Sequence, residues 1–424
     1  MKRISLLWIF ALTLCLLFAF ACGGDDDCDC GDDDDASPAD DDDDNDTTDD
    51  DDTTPAPPTL SEPVIVVPSD GLPAGVELQN ANNNLDVVAH DDRIFLAFRT
   101  APSHFAGRRA TLYVVSTADQ ETWEFEATFH LEKDLREPRL LSWNGRLFLY
   151  FAVLGSNPLN FEPGVMMFSE RTAPGEWTEP EEFYEEGFIA WRTKTINGTP
   201  YMLAYVGGEG IYDVDPEPMR VHWLTTSDGA NWEPVVPAQP VVLEGGCSET
   251  DFVFLDDGTL IAVCRNEMGD ESGWGAKICR AEAETLGDWQ CVGDTRKYDS
   301  PLMFRHGDEV YLIGRRNLND SGDYDLGFDD LNTTLQHLLY ELDYWIHPKR
   351  TSLWHVDPQT LEVEFVLDLP SRGDTCFPGL IELDADRFLV YNYTSPLDGP
   401  DTIWVLGQLG PTQILRQEIS FPAK

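Results

Sequence analysis

Glu249 and Arg265 are the first residues from which chemistry can be read. They belong to GGCSETDFVFLDDGTLIAVCRNE, Gly245–Glu267, which alternates as two antiparallel strands joined by a tight Asp-Asp-Gly turn. Ser248, Glu249 and Asp251 open the first strand; Arg265, Asn266 and Glu267 close the second. Antiparallel pairing puts the start of one beside the end of the other, so a carboxylate and a guanidinium share one rim. Similar hairpins end their second strands at Arg99, Ala152, Tyr205, Arg315 and Tyr393, and they open their first strands at Arg136 and Glu137, Arg192, Asp299 and Asp374. Guanidinium groups gathered at one mouth suit a carboxylate, which arginine holds through parallel hydrogen bonds. Arg99, Arg136, Arg265, Arg315 and Tyr393 are therefore the expected ligand-binding set. Paired carboxyl groups are what glycosidic cleavage requires, and Glu249 with Asp299 is the expected pair, with Asp251 or Glu137 as substitutes. A competing arrangement is a ring of ion pairs between neighbouring repeats, Arg265 with Glu249 for instance.

Hairpins of one kind must position these residues. Their turns fall at Asp92, Gly145, Gly198, Gly258, Asp308 and Asp386, at gaps of 53, 53, 60, 50 and 78 residues. Each is followed by a second pair of strands, such as ATLYVVS then TWEFEATF. Four strands repeated six times predict an all-β fold, a six-bladed β-propeller over residues 61–424, with a β-sandwich as the alternative. The 78-residue gap marks an insert, residues 318–350, between the second and third strands of unit five. In it Thr334 is expected to cap a helix whose apolar face is Leu335, Leu338, Leu339 and Leu342, ending at Pro348. The insert reads equally as a lid carrying Tyr340, Trp345 and His347 or as a clip over a blade edge. Residues 61–84 are expected to add an edge strand such as Val64–Val67, or to line the rim. His90, His104 and His306 stand singly, with no partner implied by spacing.

From about residue 85 to 420 the chain resembles the sialidase superfamily of six-bladed propellers. In that family a Glu early in blade four precedes an Arg at the end of the following strand, with a turn Gly between. Glu249, Gly258 and Arg265 keep this order, and 265 − 249 = 16 matches the family spacing. Arg315, in GRRN, matches the fifth-blade arginine of the carboxylate-binding triad. The turns Thr117–Trp123 and Thr226–Trp232 share Thr-x-Asp-x-x-x-Trp, a shortened form of the family's structural Asp-boxes on the face opposite the pocket. The resemblance implies that Arg265 and Arg315 hold an acidic sugar's carboxylate and that Glu249 is a general base. Four departures stand against ordinary sialidase chemistry. No arginine occupies Asn83-Asn84-Leu85, and Arg136-Glu137-Pro138 comes one blade late. Phe377 stands where the nucleophilic Tyr is required, and APSHFAGRRAT lacks the acid/base Asp. Two functions from different classes remain: a glycoside hydrolase, or a lectin-like propeller that binds an acidic glycan without cleaving it.

The rest of the chain sets the context. Lys2 and Arg3, the apolar run Ile4–Phe20 and small residues before Cys22 read as a lipoprotein signal over residues 1–22. Cys22 is then the lipidated residue, and Gly23 after it points to the outer membrane. Residues 23–60 read as an extended, disordered tether, since residues 23–52 hold 18 Asp and neither Lys nor Arg. Against 28 basic side chains stand 78 acidic ones, a net charge of −50 that excludes nucleic acid as a partner. Cys247, Cys264, Cys279 and Cys291 lie within 45 residues, where export permits a disulfide, although spacing does not select the pairing. No Gly-rich phosphate loop or HExxH motif occurs, so no cofactor or metal is expected. The chain is thus expected to be an exported, lipid-anchored monomer.

Overall fold

The computed structural model describes residues 57–158, 162–207 and 217–422. The expected signal, the lipidation site at Cys22 and the tether up to residue 56 lie outside the described residues. Six antiparallel sheets form the six-bladed β-propeller. Blade one is Ala81–His90, Arg93–Ala101, Thr111–Thr117 and Glu124–Phe129, numbered outward from the axis. The inner strands of the other blades are Asp134–Trp143, Ile189–Ile196, Cys247–Phe254, Asp299–His306 and Gly379–Asp384. Their hairpins close on turns that need left-handed backbone. Asn144 and Gly145 have φ of 51° and 70°, and Asn197 and Gly198 have 50° and 78°, as Asn-Gly hairpins demand.

Blade six is shared between the two ends of the described chain. The C-terminal strand Gln413–Ser420 pairs on one side with Arg387–Thr394 and on the other with Thr59–Leu60 and Val64–Val67. The expected edge strand is therefore present, and its role is ring closure. Pairing begins at Thr59, two residues inside the segment read as tether.

One irregularity recurs. The inner strands of blades one to five each slip register near the same end: between Asn83 and Leu85, Arg136 and Arg139, Ala190 and Arg192, Cys247 and Thr250, and Asp299 and Leu302. Such bulges leave extra residues unpaired and turn them off the ladder. Asn84, Glu137 and Ser300, all within them, have positive φ of 38°, 51° and 56°. At the opposite face the Thr-x-Asp turns close as expected. Asp228 Oδ1 accepts the backbone N–H groups of Ala230 and Asn231 at 2.9 and 2.7 Å, while Trp232 is buried between blades. Asp357 builds the same turn in blade five, accepting from Gln359 and Thr360.

The insert contains helix α1, Thr333–Trp345, capped by Asn332, whose side chain accepts from the Leu335 N–H at 3.1 Å, and not by Thr334. Its buried face is Gln336, His337, Tyr340, Glu341 and Tyr344, whereas Leu335 is 42 % exposed. The leucine stripe is therefore not the packing face. Beneath the helix lies a charged floor, with Lys297 Nζ 3.1 Å from Glu341 and 4.4 and 4.2 Å from the Tyr324 and Tyr344 rings. Tyrosines and a carboxylate can pair with that lysine; leucines would strand it. A second short helix, α2, Trp404–Gly407, packs beside α1 through Trp404, which meets Tyr344 and Trp345 edge to face.

Candidate functional site

Four bulged residues, Asn84, Glu137, Glu249 and Ser300, reach one cavity of about 170 Å³ at this end of the axis. The second strands end opposite the bulges, and they contribute Tyr205, Arg265, Arg315 and Tyr393 to the same wall. Arg136, His104, Phe377 and Glu162 are also among its lining residues, with Trp345 from α1 and Trp404 from α2 above. Since Trp345 lines the cavity, the insert is part of the site and not only a clip over a blade edge.

Glu249 and Arg265 meet as the sequence implies. Arg265 Nη1 lies 3.0 Å from Glu249 Oε1, and the Ser300 N–H donates to Glu249 Oε2 at 2.6 Å. This ion pair lies within blade four, not between blades. Arg265 Nε also donates to Ser248 Oγ at 3.0 Å and lies 2.9 Å from Glu267. Burial pushes the Glu249 carboxyl up to about 7, reinforced by the Asp299 and Glu137 charges and opposed by Arg265. Burial likewise raises Glu137, against the pull of Arg139 and Arg136. Burial works against the charge on Arg265, but Glu249, Glu267 and Asp299 more than offset it, so this guanidinium stays protonated.

The other expected residues divide into wall and support. Arg136 lines the cavity, held by Asp134 and by the His104 carbonyl, and Arg315 lines it stacked 4.9 Å from the Trp404 ring. Each nitrogen of Arg315 donates once: Nε to Thr375 O at 2.7 Å, Nη2 to Cys376 O at 3.3 Å and Nη1 to Asp299 Oδ2 at 2.9 Å. Arg99 does not reach the wall. It is wholly buried, donating to Asp134 at 2.7 Å, Asn83 at 3.2 Å, and the Ser103 and Phe105 carbonyls at 3.3 and 3.2 Å. Its place in the ligand-binding set is corrected to that of an anchor for the loop between them. Asp299 also lies behind the wall, taking Arg315 and the Tyr344 hydroxyl at 2.6 Å, and so does not face the cavity as a partner for Glu249. Asp251 is turned away onto Lys194 at 2.7 Å and the Met303 N–H. Of the substitutes, Glu137 is the carboxyl that shares the cavity with Glu249. Phe377 sits against the buried Arg139, whose guanidinium lies 4.4 Å from that ring and 4.6 Å from Trp191. An aromatic face opposite a cation is the physical content of the position where a nucleophilic hydroxyl was required.

Sequence reasoning missed the bulges and one histidine. The bulges do leave a trace, because Pro138, Pro301 and Pro378 each follow a wall residue inside or just before an inner strand. Proline lacks the ladder N–H and is tolerated there only at a bulge or strand start. Among the described residues two disulfides form, both in blade four, Cys247–Cys264 and Cys279–Cys291, where the sequence had suggested one staple.

No family model and no curated protein matches the chain. Solved structures do. One is a protein of unknown function from Dyadobacter fermentans DSM 18053, at TM-score 0.56 and 16% identity, covering 86% of this chain and 99% of that one. Another is Trypanosoma rangeli sialidase in complex with the inhibitor DANA, at TM-score 0.52 and 12% identity, covering 80% of this chain and 55% of that one. A third is phage phi92 endosialidase, at TM-score 0.51 and 11% identity, covering 80% and 67%. The chain thus spans about half the length of the trypanosomal sialidase it resembles. At these identities the likeness establishes the fold: a six-bladed propeller with sialidases among its structural neighbours.

Proposed function

We propose that the cavity takes the carboxylate of an acidic glycan and that the protein hydrolyses the adjoining glycosidic bond, with Glu249 as proton donor. One observation carries this reading. A carboxyl raised to about 7 shares the cavity wall with guanidinium groups that retain unused donors. Among the described residues, Arg136 Nη1 and Arg265 Nη2 donate no hydrogen bond to the protein. A protonated acid beside fixed cations suits a substrate whose own charge is neutralised while its leaving oxygen is protonated. Glu249 is thus read as an acid, where the family resemblance implied a base. The two blade-four disulfides support an oxidising compartment, in keeping with export and lipid attachment at Cys22. Loss of an incorporated fatty-acid label in Cys22→Ser tests the attachment.

Acidic oligosaccharides, assayed for binding and for released reducing ends, test the main reading. Arg265→Ala is expected to weaken binding about 10- to 100-fold. Glu249→Gln is expected to bind normally while kcat falls about 100-fold or more. Arg265-dependent binding with no turnover would leave a non-catalytic carbohydrate-binding propeller.

A further inference from the structure

The loop between the second and third strands of blade one, residues 102–110, brings His104 into the cavity wall. Arg99 holds the carbonyls on either side of it, Ser103 and Phe105. The His104 N–H donates to Gln408 O at 3.0 Å, and Arg136 donates to the His104 carbonyl. These anchors fix the backbone and leave the ring to one partner. His104 Nδ1 lies 2.6 Å from Oδ2 of the wholly buried Asp374, whose Oδ1 accepts from the Tyr393 hydroxyl at 3.0 Å. With Nδ1–H donating to the carboxylate, the lone pair of the neutral ring is on Nε2, which has no hydrogen-bond partner among the described residues. We propose that His104 is the proton acceptor that activates the attacking water, with Asp374 as its positioning residue. The inference rests on the hydrolytic reading above.

The step balances without a further reactant. Nε2 takes a proton from water as the water oxygen bonds the anomeric carbon. The glycosidic C–O bond breaks, and its oxygen takes the proton of Glu249. His104 then releases its proton to solvent and Glu249 regains one. Burial holds the imidazole below its usual range, opposed by Asp374 and aided by Arg136 and Arg99, so the ring is in the accepting form at neutral pH. The charged and titratable groups facing it are those three and Tyr393, whose ring centroid lies 6.1 Å away. A single displacement by water yields a product of inverted anomeric configuration.

The test compares full-length wild type, His104→Asn and Asp374→Asn on an acidic oligosaccharide from pH 4 to 9, with the first-formed anomer read by proton NMR. His104→Asn is expected to lower kcat about 100-fold or more, with KM within about threefold and carbohydrate binding retained as the folding control. Asp374→Asn removes a charge that raises the His104 pKa. The acidic limb of kcat/KM should therefore move to lower pH, which a merely structural role would not produce. His104→Asn with kcat within about threefold of wild type overturns the inference alone. Retained configuration overturns it too, because a protein nucleophile such as Tyr205 would then precede water. An unsaturated product overturns the hydrolytic reading together with the inference, since the bond would then break by elimination and not by attack of water. Wild type that binds but never cleaves overturns the hydrolytic reading together with the inference.

Discussion

Glu249 is asked to be neutral beside a permanent cation, and the balance of its surroundings decides whether it can be. Arg265 and the Ser300 N–H favour the carboxylate, while burial and the neighbouring Asp299 and Glu137 charges favour the acid. The second group prevails, since the carboxyl is raised from its ordinary 4.5 to about 7. A proton donor is active while protonated, so activity should fall as pH rises through about 7, and the His104 limb bounds the profile on the acidic side. A Glu137→Gln variant loses one of the charges that raise this group and should move that basic limb to lower pH; an unmoved limb would exclude Glu137 as a partner. Glu249 and Arg265 were legible in the sequence because one hairpin holds both, at the spacing the resemblance implies across a short turn. Glu137 was visible only as a substitute, because no spacing in the sequence ties it to Glu249, and a bulge brings each of them to the cavity. His104 was not legible as a site residue, since Asp374 comes from blade six, 270 residues away along the chain.

At the scale of elements, the insert secures the site from behind as well as above. Tyr344 on α1 donates to Asp299 at 2.6 Å, and Asp299 in turn holds Arg315. Tyr344→Phe removes one charge-assisted hydrogen bond from a buried carboxylate and should cost about 1.5–3 kcal/mol in urea unfolding. It should also weaken carbohydrate binding, because Arg315 loses a fixed partner; unchanged stability would show α1 to be only loosely docked. The helix was legible from its cap-like start and Pro348, but its inner face was not. Periodicity identifies leucines, and the surface awaiting this helix is Lys297 with its carboxylates, assembled from the start of blade five's inner strand and from Glu267 of blade four. Blade hairpins were legible throughout because left-handed turn residues such as Asn144-Gly145 and Asn197-Gly198 report local backbone needs.

At the scale of the whole molecule, a propeller is stable only as a closed ring. Closure here uses Val64–Val67 against the C-terminal strand, with Val66 and Val67 buried at 2 % and 0 % exposure. Burying two such side chains contributes about 3–6 kcal/mol, before any strand pairing is counted. Deleting residues 57–67 should therefore lower the unfolding midpoint sharply and cooperatively, as read by thermal melts of the two proteins. A truncated chain within about 1 kcal/mol of the intact one would mean that the ring closes without this strand. The number of blades was legible from turn spacing alone, whereas the mode of closure was one of two open choices for residues 61–84. Period is a local property, but closure joins the two ends of the fold and leaves only a short apolar run as its trace.

The proposed function requires that a carboxylate-bearing glycan is bound by Arg265 and cleaved through Glu249. The most direct measurement is calorimetric binding and reducing-end release on one acidic oligosaccharide, for wild type, Arg265→Ala and Glu249→Gln. The expected result is binding and release by wild type, weakened binding for Arg265→Ala, and binding without release for Glu249→Gln. Release by Glu249→Gln at the wild-type rate, or binding indifferent to Arg265, would contradict it.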